Sequence, residues 1–201
     1  MNNLLPLTIS LPSGGVVLID KIGALEELLT EAPQEDLAAI AQSCHKRQRE
    51  QLTWRRMVRK HLAPHIISIT YNEAGAPQIG SELHLGVSHS ASLAAIIISH
   101  RPCSIDIEAL DRDFSKVAPR YITPSEALLR EDSDKEHLQP LLWSAKETLY
   151  KYANCKELSL LDDIRIHEIG NNTFTGSIKP HDNHIEGVAT TLLNHSLVYV
   201  G

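Results

Sequence analysis

Ile105-Asp106-Ile107-Glu108 and, further along, Trp143-Ser144-Ala145-Lys146-Glu147-Thr148-Leu149-Tyr150-Lys151 are the stretches around which the 201-residue sequence organises. In the first, isoleucine and carboxylate alternate, so a β-strand turns Ile105 and Ile107 to the core and Asp106 and Glu108 to one open face. Two hard oxygen ligands then stand side by side, a set that suits magnesium, which keeps several waters and takes one or two carboxylates plus the oxygens of a phosphate. In the second, the spacing of Trp143, Leu149 and Tyr150 predicts a helix, with no Gly or Pro from Leu141 to Ala153. Glu147 and Lys151 share a face of it, and Lys146 lies beside them. Taken singly, each stretch has an ordinary alternative: a D-x-E strand also makes a solvated sheet face, and a Glu–Lys pair four residues apart is a common surface ion pair.

Bulk composition narrows the field. The length suits one large domain or two packed subdomains. No run of eighteen apolar residues occurs, so a helical membrane span is not expected, and the start Met1-Asn2-Asn3-Leu4-Leu5-Pro6 lacks the basic and apolar regions of a secretion signal. Cys44, Cys103 and Cys155 form no C-x-x-C pair and read as free thiols in a reducing cytoplasm. The net charge of −6 conceals an asymmetry: Lys46, Arg47, Arg49, Arg55, Arg56, Arg59 and Lys60 crowd between His45 and His61 with Glu50 as the single acid. A basic helix on an acidic body fits a phosphate-rich ligand or an acidic protein helix; nucleic acid is disfavoured because the basic character goes no wider. H-E-x-x-H, G-x-S-x-G, G-x-x-x-x-G-K-[ST] and G-x-G-x-x-G are all missing, and His181-x-x-His184 lacks a third ligand at a standard spacing.

The order of I-D-I-E and W-S-A-K-E-T-L-Y-K resembles the two defining motifs of the 4′-phosphopantetheinyl transferase superfamily. The likeness runs from about Ser43 to Lys151. Arg47, Glu50, Leu52 and Arg55 match an R-x-x-E-x-L-x-x-R helix, Gly75-Ala76-Pro77 a Gly-Lys-Pro turn, Val87-Ser88-His89-Ser90 a Ser-His-Ser strand, and Tyr121 to Glu126 an aromatic-Thr/Ser-x-x-Glu element. Ala76 stands in place of the usual lysine and Ser104 in place of the usual glycine.

The resemblance implies an α+β fold of the longer, pseudo-dimeric (Sfp-type) branch. Two similar subdomains, 1–102 and 103–201, would each set a long helix against an antiparallel sheet, with coenzyme A between them. It implies a holo-acyl-carrier-protein synthase that moves the 4′-phosphopantetheine group of coenzyme A to a serine of an apo acyl or peptidyl carrier protein, releasing adenosine 3′,5′-bisphosphate. Such an enzyme would be a cytoplasmic monomer with no nucleic-acid or membrane partner. The alternative is a coenzyme A-binding homologue with lost or weakened transferase activity. Asp106, Glu108 and Glu147 would hold Mg2+. Arg47 and Arg55 would hold the nucleotide end, Ser88 and His89 the 3′-phosphate, and Lys146 and Lys151 the phosphoryl oxygens. Glu147 is the first candidate for general base and Glu126 the second, although Thr123 and Glu126 also fit a helix capping box.

The remaining pattern predicts strands at Val16 to Ile19, Ile66 to Tyr71, His84 to Val87, Leu93 to Ser99 and Ser104 to Glu108, and closing hairpin strands at Ile164 to Glu168, Thr173 to Ile178 and His184 to Tyr199. Helices are expected at Ile22 to Leu29, from Pro33 with interruptions to Leu62, at Pro124 to Arg130 and through the W-S-A-K-E stretch. The acidic run Glu131 to Glu136 reads as a linker.

Overall fold

Runs of β-branched and apolar residues build the first sheet. The computed structural model describes residues 5–62, 68–129, 137–180 and 183–201. Strands β1 (Leu7–Ser10), β2 (Val16–Lys21), β5 (His84–His89) and β6 (Leu93–Ser99) form an antiparallel sheet in the order β1-β2-β6-β5. Every residue of β6, Leu-Ala-Ala-Ile-Ile-Ile-Ser, is buried, because both faces of this central strand are covered. Between β2 and β5 the chain makes helices α1 (Leu25–Glu31), α2 (Gln34–Ile40) and α3 (His45–Leu62), then the short hairpin β3 (Ile69–Tyr71) and β4 (Pro77–Ile79). The helix expected from Pro33 to Leu62 is thus two helices. Pro33 caps α2 with Glu35 and Asp36 favourably in its first turn, and a break at residues 41–44 lets α3 start afresh.

The second sheet is β7 (Ser104–Ala109), β8 (Ile164–Gly170), β9 (Thr173–Ile178), β10 (Ile185–Leu192) and β11 (His195–Val200), antiparallel in the order β7-β11-β10-β9-β8. Edge strand β7 has β11 as its ladder partner, with Asp106 opposite Val198 and Glu108 opposite Ser196. Helix α4 (Leu138–Ala153) covers this sheet and ends at Asn154, whose φ of 50° is the left-handed cap that asparagine tolerates. The helix expected at Pro124 to Arg130 is, within the described residues, a 3-10 turn at Glu126–Leu128. The linker Glu131 to Glu136, His181, and the start of the strand expected at Ile66 lie outside the described residues. Among those described, no helix is long and apolar enough to cross a membrane.

Three apolar layers order these elements. Trp54, Met57 and Val58 of α3 pack on Ala94, Ile96 and Ile98. The opposite face of the same sheet, with Val17, Ile19, Ala95 and Ile97, meets Ile105, Ile107, Leu197 and Tyr199 of the second sheet. The far face of the second sheet meets Leu142, Ala145 and Leu149 of α4. Gly86 lets the two sheets close where the motifs meet: a Cβ there would lie 2.7 Å from Ile97 Cγ2, 3.1 Å from Ser104 Cα and 3.2 Å from Ile105 N. Ser104, which stands where a glycine was the family's expectation, is accommodated because its hydroxyl donates to the Thr148 carbonyl in α4 (2.9 Å); the close approach falls to Gly86 instead.

Candidate functional site

Strand alternation sends Ile105 and Ile107 into the core between the sheets and Asp106 and Glu108 the other way, toward α4. On α4, Trp143, Glu147 and Lys151 recur every fourth residue and form the facing wall. These five side chains, with Ser88 and His89 of β5 and Arg47 of α3, line one pocket of about 380 Å3. It shares Gly75, Pro77, Val87 and Lys151 with a larger cavity of about 600 Å3 that runs under the 72–78 turn. Asn72 Nδ2 donates to Asn154 Oδ1 (3.0 Å) and Lys156 Nζ to the Glu73 carbonyl (2.8 Å), which brace that turn against the end of α4.

Asp106 is 4% exposed, so the face that the sequence pattern leaves open is a pocket wall. Its Oδ1 accepts from Lys151 Nζ (2.6 Å) and from Ser88 Oγ (2.9 Å), and its Oδ2 is buried without a hydrogen-bond partner. Glu108 Oε1 accepts from Trp143 Nε1 (3.3 Å) and from Arg112, whose guanidinium lies over the Phe114 and Trp143 rings at 5.0 and 5.1 Å. Burial raises the pKa of Glu108 and the neighbouring Asp106 charge adds to it, against the pull of Arg112. Burial likewise raises that of Glu147; Lys151 opposes the shift and Asp106 reinforces it. The His89 pKa is lowered, first by burial and then by Lys151, Arg47 and Lys46, although Glu50 pulls the other way. The imidazole is therefore neutral at pH 7, and its 3.6 Å approach to Glu50 is a weak contact.

The donor chemistry fits a hard divalent cation, since three carboxylates line one pocket and one oxygen of Asp106 is buried with no partner. As placed, no three His, Cys, Asp or Glu side chains among the described residues are gathered to hold a metal ion. Two of the three carboxylates rest instead on Lys151 and Arg112.

Arg55, Lys146 and Glu126 are not brought to this pocket. Arg55 is 1% exposed, paired to Asp36 (2.7 Å) and bonded to the Tyr71 hydroxyl (3.0 Å), beneath Trp54 and Tyr71, which themselves reach the pocket. Burial opposes the charge of Asp36, yet hydrogen bonds from Arg59 and Arg55 outweigh it and hold the carboxyl below its ordinary range. Lys146 sits one residue, or about 100° of helix, from Glu147. That rotation turns it off the pocket face of α4, fully buried, where Nζ meets Glu126 (2.9 Å) and the Leu160 carbonyl (2.8 Å). Glu126 is the closing residue of the capping box: it accepts from the Thr123 amide (2.9 Å) and hydroxyl (2.7 Å), and also from the Ile166 amide (2.9 Å). Glu126, the second candidate for general base, is thus fully buried and away from the pocket.

Sequence reading passed over Trp54, Tyr71, Gln51 and Arg112. Gln51 follows Arg47 by one helical turn, which was a usable signal; Arg112 and Tyr71 reach the site from loop and hairpin positions that carry no periodicity. Burial pushes the Cys103 thiol up to about 12, so this cysteine of the adjoining cavity is no nucleophile at neutral pH.

Residues 102–195 match the family model of the 4′-phosphopantetheinyl transferase superfamily. No curated protein matches the chain. The matched stretch takes in β7 and α4 and excludes the Arg47, Ser88 and His89 side of the pocket. The half of the chain that bears Asp106, Glu108, Glu147 and Lys151 is therefore similar to the 4′-phosphopantetheinyl transferase superfamily, and that likeness supports a general role in phosphopantetheinyl transfer.

Proposed function

We propose that the protein transfers the 4′-phosphopantetheine arm of coenzyme A to a serine hydroxyl of an apo acyl or peptidyl carrier protein, with Mg2+ as cofactor, as a cytoplasmic monomer of pseudo-dimeric build. The observation that carries this is the meeting of Asp106, Glu108, Glu147 and Lys151 in one pocket, with Asp106 Oδ2 buried and unpaired. Asp106, Glu108 and Glu147 would hold the cation, which when bound neutralises the diphosphate and lowers the charge the leaving group must carry.

The chain's own groups do the rest. Glu147, the carboxylate on the α4 side of the pocket, takes the serine proton. The serine oxygen forms a bond to the β-phosphorus as the bond to the bridging oxygen breaks, and adenosine 3′,5′-bisphosphate leaves. Lys151 Nζ, in the same pocket, offsets charge on the phosphoryl oxygens. Arg47 and neutral His89, across the pocket, meet the nucleotide end, and the larger cavity beneath Gly75-Ala76-Pro77 gives the cofactor length to lie in. Arg55 and Lys146 have no part in this scheme.

A second reading, a coenzyme A-binding homologue without turnover, is favoured by the pairing of Asp106 and Glu108 with the chain's own cations and by Ala76 in the turn. The mass of an apo carrier incubated with the protein, coenzyme A and Mg2+ separates the two. A phosphopantetheine mass gain that EDTA abolishes is the expected result. An unchanged carrier with measurable coenzyme A binding establishes the second reading, and coenzyme A cleavage without a carrier points to a pyrophosphatase.

A further inference from the structure

Ser88 Oγ is bonded to groups of both β7 and α4. It donates to Asp106 Oδ1 (2.9 Å), accepts from the Ile107 amide (3.2 Å), and lies 3.3 Å from Lys151 Nζ. The residue is 7% exposed and its partners are in β7 and α4, so the one hydroxyl ties β5 of the first sheet to the carboxylate-bearing strand of the second. Gly86, two residues earlier on β5, permits the approach of the two backbones that brings this hydroxyl within reach. A hydroxyl that accepts from one amide directs its single proton elsewhere, and here that proton goes to Oδ1. Oδ2 is left buried with no partner.

We infer that Ser88 is a positioning residue for Asp106. It fixes the carboxylate so that Oδ2 is the oxygen presented to a divalent cation. This rests on the reading of the pocket as a divalent-cation site. Loss of a supporting hydrogen bond of this kind weakens metal binding about 10- to 100-fold.

The test is Mn2+ binding followed by the electron paramagnetic resonance of the free ion, without carrier or turnover, for the wild type, Ser88→Ala, Ser88→Cys and Ser88→Thr. Thermal melting is measured alongside. Ser88→Ala and Ser88→Cys should lose about tenfold or more in Mn2+ affinity, and Ser88→Thr, which restores the hydroxyl, should recover Mn2+ binding. Should Ser88→Ala fold poorly, the near-isosteric cysteine variant with its weak S–H donor decides. Wild-type Mn2+ affinity in the alanine and cysteine variants overturns the assignment. A wild-type protein that binds no Mn2+ overturns the cation-site reading itself, and the role of Ser88 with it.

Discussion

Glu147 shows at the scale of a single side chain how burial of a carboxyl sets the pH dependence of stability. Its folded pKa is raised by burial, so the stability linked to it is complete only below the unfolded carboxyl value, about 4.3, and drains as pH rises through the folded value. Glu147→Gln should therefore abolish transfer yet raise the melting temperature at pH 7, with the gap closing near pH 4; a lower melting temperature at pH 7 would refute the burial argument. Asp36 has the reverse sign. Its lowered pKa means that its contribution is present above about pH 4 and is lost as pH falls through the folded value. Arg55→Ala leaves a buried carboxylate short of a partner and should cost about 3–5 kcal/mol in denaturant unfolding, with the KM for coenzyme A unchanged. The residue types at the site were legible where a period fixed direction: strand alternation separated Asp106 and Glu108 from their isoleucines. Lys146 was misplaced because adjacency in sequence was taken for adjacency on a helix face. Arg55 was misplaced because its partner, Asp36, comes from another helix.

Among the elements, α4 and the strands with continuous apolar runs were the plainest in the sequence, since their burial is decided by local pattern. The break at residues 41–44 was not, as no proline marks it, and neither was the short 3-10 turn at Glu126, whose carboxylate is bonded to Lys146 and the Ile166 amide, far off in sequence. The approach of β5 to β7 was equally hidden, for it depends on which glycine meets which strand. Gly86→Ala would press a methyl group against the Ser104 and Ile105 backbone, which cannot swing aside. It should cost about 1–3 kcal/mol in unfolding free energy and weaken Mn2+ binding by displacing Ser88. Intact Mn2+ affinity in a destabilised variant would separate the packing from the site.

For the whole molecule, the pocket draws Arg47, Ser88 and His89 from one sheet layer and Asp106, Glu147 and Lys151 from the other, a convergence that neither motif announces alone. A ligand there spans both layers, so coenzyme A at a hundred times its Kd should stabilise the protein by about 2.7 kcal/mol and keep calorimetric melting a single transition. A split transition would mean that the ligand grips one layer.

Strand β7 holds Asp106 and Glu108 at a sheet edge, and its ladder partner β11 comes roughly ninety positions later. During synthesis at about 5–20 residues per second, the nascent Asp106 strand leaves the ribosome several seconds ahead of the segment that completes its pairing. Through that interval its amides and carbonyls are open to other chains, so this edge strand is also where chaperone demand and misassembly should concentrate.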